Sequence, residues 1–391
     1  LSLYPEAVVS AEVRRARICT TLIFLVNGIL FGNWVTRIPR IRDDLQIGEG
    51  QLGLALLALG FGGLVFMPAA GAMVAKFGTK RLNTIILILI CFAFPFPAIV
   101  PSWSLLCLSL FISGAGYGIL DIGMNSQGVL VQKRVGRPVL SSMHAAFSFG
   151  SFVGAMMGGA IASAGASPVI HLTGIAVPML VVSLIITRGQ LDDSRMVRES
   201  GPSFVRPSWA LAALGLLAFC GLLVEGAMAD WSAVYLTDSL GTGPGLAAIG
   251  YAAFSLTMSI GRIIGDRLVF LTSEVIVARY GGAIAALGIV MVLVPGTPLI
   301  SIIGFGLAGA GLSNVIPVTF SAAGRTPGLP SGPALASVAS AGYAGFLLGP
   351  SLIGFIAEWT TLQIGLSLTL ILTILIPFFA SSVHRGPPAE E

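Results

Sequence analysis

Charge is scarce in this sequence. Of 391 residues only 10% are Asp, Glu, Lys or Arg and 55% are hydrophobic, whereas an ordinary soluble domain carries roughly 25% charged residues. A surface that poor in charge excludes a free-standing soluble domain. Cysteine is equally sparse. Cys19, Cys91, Cys107 and Cys220 lie in or at the ends of apolar runs and never at CxxC spacing, which excludes a disulfide scaffold and a thiolate metal site. The three histidines, His144, His171 and His384, are scattered. There is no HExxH, no GxSxG and no phosphate-binding loop, so the reading is of a protein that is not an enzyme and needs neither cofactor nor metal.

What the sequence does have is apolar length. Runs of at least about 18 residues, enough to cross some 30 Å of hydrocarbon, recur twelve times: 18–36, 51–75, 82–100, 103–131, 141–164, 168–187, 208–236, 246–265, 275–295, 298–321, 331–357 and 361–381. The expected class is an all-α polytopic membrane protein. Placing the N-terminus inside puts 18 of the 21 Lys and Arg residues on the cytoplasmic face, as the positive-inside rule requires. The remaining three, Arg37, Arg40 and Arg42, fall in the first outer loop, where Asp43, Asp44 and Glu49 offset them. Both termini are then expected in the cytoplasm, with the first run serving as its own insertion signal. The net charge of +4 is read as topology, and no nucleic-acid partner is implied.

The longest polar connector, RGQLDDSRMVRESGPSFVRPS, divides the runs six and six. Expected domains are a first bundle over 1–187, a cytoplasmic linker over 188–207 and a second bundle over 208–391. Three matches point to an internal repeat: GSFVGAMMGG with GFLLGPSLIG, MPAAGAMVAKFG with MSIGRIIGDRLV, and VNGILFGNW with VEGAMADW. In the last, amides at Asn27 and Asn33 stand against acids at Glu225 and Asp230.

These features resemble the major facilitator superfamily over essentially the whole chain. Twelve runs in two halves carry the resemblance, together with the loop signature G-x-x-x-D-R-x-G-[RK]-[RK]. It is seen here as GAMVAKFGTKR from Gly71, with Lys76 and Gly78, and again in GRIIGDRL with Asp266 and Arg267. Ala75 stands where the first copy should have its acid. More narrowly, GNWVTRIP, DIGMNSQG, SSMHAAFSFGSFVGA and EGAMADWSAVYL resemble a bacterial branch that includes the membrane protein of rhizopine gene clusters and is akin to fucose permeases. The resemblance implies two six-helix bundles related by a pseudo-two-fold axis and a monomeric secondary transporter of the bacterial inner membrane, working by alternating access. It also implies that Asp266 and Arg267 clamp neighbouring helices at the cytoplasmic side.

An ionisable group at bilayer depth costs about 2.5–3.5 kcal/mol on insertion scales, so each one is a functional candidate. Asp121 falls twelve residues before Lys133, about 18 Å along a helix, with Asn125 one turn further on. His144 falls at a similar depth on the next run. Glu225 is sixteen residues past Trp209. Asp230 is either a second site acid or a wet residue at the outer helix end. Trp34 and Trp231 stack on a ligand or belong to an interfacial aromatic belt. Asn27, Asn314, Tyr117, Tyr251 and Tyr343 complete the polar and aromatic set. Asp121, Glu225 and Asp230 are the proton-coupling candidates. Because no Lys or Arg falls in the middle of a run, the expected solute is neutral or cationic: a sugar, polyol or amino-cyclitol moved with H+, or alternatively a hydrophobic cation driven outward. A receptor that binds without transporting is the reading from another class.

Overall fold

Helix starts are set by short polar residues at the ends of apolar runs. Ser10, Ser167, Ser273 and Thr361 each place a side-chain oxygen on a backbone N–H three residues on, at 3.2–3.3 Å, as N-caps do. Prolines at the first turn begin others, and Gly136 at φ 73° ends one in the left-handed region. The computed structural model describes residues 10–137, 139–193, 209–294, 296–326, 329 and 331–384. The expected cytoplasmic placement of the two extreme termini and of most of the 188–207 linker falls on residues outside this set.

Fourteen α-helices and no strand occur among the described residues. They are α1 (Ala11–Val35), α2 (Ile38–Leu45), α3 (Glu49–Phe77), α4 (Thr79–Ala93), α5 (Trp103–Val135), α6 (Leu140–Ser163) and α7 (Pro168–Ile186). The series continues with α8 (Trp209–Asp238), α9 (Pro244–Leu271), α10 (Glu274–Leu293), α11 (Pro298–Leu312), α12 (Val315–Gly324), α13 (Ser331–Trp359) and α14 (Leu362–Phe379). Twelve stretches are long and apolar enough to cross a membrane, one for each expected run. Short α2 is amphipathic and too short to span. The tenth run differs from expectation, since α11 and α12 are separate helices broken at Ser313–Asn314. There Ser313 Oγ donates to Ala310 O and Asn314 Nδ2 donates to Gly261 O, side-chain bonds that compete with a continuous helical ladder.

The chain forms two compact units, residues 1–46 with 58–199, and residues 47–57 with 200–391. In the first, α1 and α6 lie so close that a Cβ on Gly150 or Gly154 would sit 2.3 Å from the carbonyl oxygens of Leu25 and Ile29. In the second, a Cβ on Gly345 would sit 2.4 Å from Phe219 O, and one on Gly349 would sit 3.1 Å from Leu223 Cγ. The GSFVGA and GFLLGP runs thus do the same work twice, letting helix backbones meet without hydrophobic drive from water. The packing also corrects the register of the repeat. Leu25 and Ile29 correspond to Phe219 and Leu223, so the first helices of the two halves align one turn away from the VNGILFGNW/VEGAMADW match.

Gly154→Ala therefore should force α1 and α6 apart and lower the unfolding midpoint of the purified protein, by the equivalent of about 1–3 kcal/mol for overpacking. Gly174→Ala is the control, because no atom lies within 4 Å of its added Cβ, and it should leave the midpoint unchanged or higher.

Candidate functional site

In the first unit, α5 carries Tyr117, Asp121 and Asn125 at four-residue intervals, which places them on one face of the helix. Asn125 Nδ2 donates both to Asp121 Oδ1 at 3.0 Å and to Asp121 O at 2.8 Å. All three side chains are half-buried. Asn27 of α1 is buried and points its amide at Met124 Sδ, 3.9 Å away, while its Oδ1 has no hydrogen-bond partner among the described residues. His144 of α6 meets the ring of Phe24 edge-on, with centroids 5.1 Å apart. Asn27 thus meets α5, the helix that carries Tyr117, Asp121 and Asn125, and His144 lies against Phe24 of α1.

Trp34 and Tyr117 line one partly open cavity together with Leu59, Ile90, Phe94 and Ser113. The Trp34 indole N–H, although buried, has no partner among the described residues. Beyond the end of α1 the expected outer-loop cations separate. Arg40 pairs with Asp44 and Arg42 with Asp43, each at 2.9 Å. Arg37, in contrast, is 3% exposed and is not offset by those acids. Its Nε–H donates to His171 Nδ1 at 2.6 Å and its Nη2 to Ala166 O at 2.9 Å, while His171 Nε2 meets Asn33 Oδ1 at 2.8 Å. Burial, and then neighbouring Arg40, hold the Arg37 pKa below its ordinary value.

The second unit corrects the reading that no cation reaches mid-helix depth. Arg262 of α9 places Nη2 at 3.2 and 3.3 Å from the two carboxylate oxygens of Glu225 on α8, with side chains only 11% and 21% exposed. Arg262 lies inside the expected eighth run, but counting its charge with the cytoplasmic end hid it; a long arginine stem carries the guanidinium far from its own Cα. Asn314, at the α11–α12 break, is held by Gly261 O and Ser313 Oγ beside this pair. Asp230 is not a wet end residue. It is 4% exposed and makes no hydrogen bond or ion pair with the described residues. Trp231 is fully buried and packs on Gly354, which fits a core residue better than an interfacial belt or a stacking platform. Tyr251 is buried and stacks on Phe254, and Tyr343 is half-buried.

The loop signature is also redistributed. Gly78 takes φ 73°, as the turn into α4 requires, and Lys76 lies 5.3 Å over the Phe77 ring. Open space surrounds Gly71. Asp266 and Arg267 are exposed and make no ion pair among the described residues, so the expected clamp is not seen there. At the neighbouring helix ends the ion pair is Glu274–Arg325, at 2.6 Å. In the first unit, sequence reading missed Asp193, which accepts from Thr79 N at 2.7 Å and Thr79 Oγ1 at 3.0 Å. Asn83 donates to Gln190 Oε1 at 2.8 Å and Gln127 to Leu191 O at 3.3 Å. The start of the linker is thus bound to the first turn of α4, where a carboxylate is favoured by the helix dipole. A D-D pair directly after a span was the available signal.

The sequence pattern of the Major Facilitator Superfamily matches residues 18–331. The chain belongs to that superfamily. It is 34% identical over 369 residues to an uncharacterised MFS-type transporter of Yersinia pestis, covering 94% of this chain and 96% of that protein. Membrane protein MosC of Rhizobium meliloti is 29% identical over 381 residues, 94% of this chain and 90% of its own length. Among solved structures, the nucleoside transporter NupG superposes with a TM-score of 0.71 at 13% identity, over 95% of this chain and all of that one. A variant of the E. coli fucose:proton symporter FucP gives 0.64 at 18%, over 96% of this chain and all of that one. At such identities the likeness is one of fold.

If the Glu225–Arg262 bond supports this unit, the single variants Glu225→Gln and Arg262→Gln should each lower thermal stability, and the double variant should lose less than their sum. A coupling of about 1–3 kcal/mol is expected for a charged hydrogen bond; additive losses in the double-mutant cycle would dissolve the pair.

Proposed function

We propose that this superfamily transporter moves a small polar solute, a sugar, polyol or amino-cyclitol, together with a proton taken up by Asp121. The observation that carries the proposal is the Tyr117–Asp121–Asn125 face of α5. A half-buried carboxylate held by an amide sits one turn from a ring that lines the cavity. The carboxylate and amides supply hydrogen bonds for hydroxyl groups, and Tyr117 and Trp34 supply apolar ring faces. In the second unit Arg262 is engaged by Glu225, so the pair adds both signs of charge without a net one. That keeps a neutral solute favoured over an anion. FucP, which shares this fold, is by name a fucose:proton symporter, in keeping with this reading. The working context is the bacterial inner membrane, with both termini cytoplasmic and a single chain as the functional unit.

A specific observation favours a second reading, outward transport of a hydrophobic cation. Leu59, Ile90, Phe94, Pro97 and Leu110 make most of the cavity wall apolar. A thermal-shift screen of sugars, cyclitols and hydrophobic cations on the purified protein separates the two by which class raises the midpoint.

With a solute in hand, Asp121→Asn in proteoliposomes should lose accumulation driven by a pH gradient, down to the equilibrium level, yet retain counterflow exchange. Accumulation equal to that of the parent protein would move coupling away from Asp121.

A further inference from the structure

The GNWVTRIP run ends α1 with Asn33 and Trp34 and places Arg37 just beyond that end, and one imidazole holds Asn33 and Arg37 on either side of the tryptophan. Arg37 Nε–H can only donate, so His171 Nδ1, 2.6 Å away, must present its lone pair. The ring proton then sits on Nε2 and is donated to Asn33 Oδ1 at 2.8 Å. Asn33 confirms that orientation, because its Nδ2 is spent on Ile29 O at 2.8 Å. His171 is therefore neutral in this arrangement and tautomerically fixed. Asn33, Arg37 and His171 are 0%, 3% and 2% exposed, so water does not replace a bond that breaks.

A second proton on His171 reverses one of these bonds. Nδ1–H would face an arginine N–H at hydrogen-bond distance, and two cations would lie side by side in a buried site. No acid among the described residues is at hand to absorb the charge. On α2, Asp43 and Asp44 are engaged by Arg42 and Arg40. Facing α7 from α1 and its C-terminal extension are Arg37 and, next to it, Arg40. The adjoining half of α4 offers only Cys91, that of α6 no titratable side chain, the Phe96–Ala98 turn none, and α7 itself only His171. Arg188, in the turn after α7, lies at the opposite end of that helix.

We propose that His171 is a positioning residue for Trp34, holding the end of α1 while neutral and releasing Arg37 when protonated, so that acidification loosens the Trp34 wall of the cavity. The consequence is a pH dependence at the cavity that is separate from any proton carried by Asp121, and it holds whichever solute is transported. The geometry assigns to the imidazole a role that no sequence motif marks, since His171 stands alone on its helix.

The test reads Trp34 directly. This chain labelled with 5-fluorotryptophan has five indole resonances, and Trp34→Phe assigns one of them. Between about pH 8 and pH 3.5, a span that extends past the ordinary histidine range on the acid side, the Trp34 resonance should move with a one-proton titration while those of the other four tryptophans do not follow it. In His171→Gln, which offers an acceptor and a donor but does not titrate, the Trp34 resonance should stay near its alkaline position throughout. His171→Ala, if folded, should hold it near the acid position at every pH. A Trp34 resonance that does not respond to pH in the parent protein overturns the proposal. So does one that titrates identically in His171→Gln, which would put the proton on another group such as Asp121.

Discussion

A charge removed from water must be met by a partner within hydrogen-bond reach, and both units are arranged around that demand. Leaving an ion unmet costs several kcal/mol, comparable to the whole stability of an ordinary domain. Four buried or half-buried groups meet it differently, while Asp230, 4% exposed, makes no hydrogen bond or ion pair with the described residues. Glu225 is met by an opposite charge, Arg262, at 3.2 Å. Asp193 is met by the amide and hydroxyl of Thr79 at the first turn of α4. Arg37 is met by a carbonyl and a neutral imidazole, with no anion. Asp121 receives a side-chain amide. The close helix approaches through Gly150, Gly154 and Gly345 belong to the same scheme, because backbones in contact exclude the water that would otherwise solvate these groups.

Much of the architecture could be read from apolar run length, and most of its exceptions arise where a side chain reaches away from its own position. Twelve runs became twelve spanning stretches because hydrocarbon thickness leaves little freedom in how long a spanning helix is. Arg262 was misplaced because its Cα lies nearer the helix end than its guanidinium does. The break between α11 and α12 was missed because an apolar run shows no interruption when the break is made by side-chain bonds from Ser313 and Asn314. Asp193 and Gln190 looked like linker because their local composition is polar, yet their partners, Thr79 and Asn83, lie more than a hundred residues earlier. Asn27, Tyr117, Asp121, Asn125 and His144 stood out as candidates because polar residues on apolar helices have few reasons to be there.

Family membership and site chemistry are separate conclusions. The superfamily is shown by the match over residues 18–331, and structures at 13–18% identity repeat the fold. A fold shared that widely hosts many solutes. The chemistry of this chain lies in particular side chains, among them the first signature copy without its acid, the Asp193 contact at the start of α4 and the Arg37–His171 contact after α1. None of these follows from twelve helices in two halves.

Asp121 and Glu225, two half-buried acids of the membrane-spanning helices, differ in what a proton would have to displace. Protonating Glu225 removes a charge that Arg262 holds across two contacts of 3.2 and 3.3 Å, so the proton must displace an ion-pair bond in a site with little water. At Asp121, Asn125 donates to Oδ1, an oxygen that accepts whether or not Oδ2 carries a proton, so under the proposed proton uptake the Asn125 bond is kept. One turn away the Tyr117 ring lines the cavity. The proposed coupling through Asp121 therefore keeps its amide bond, whereas Glu225 is engaged in holding α8 to α9 through Arg262.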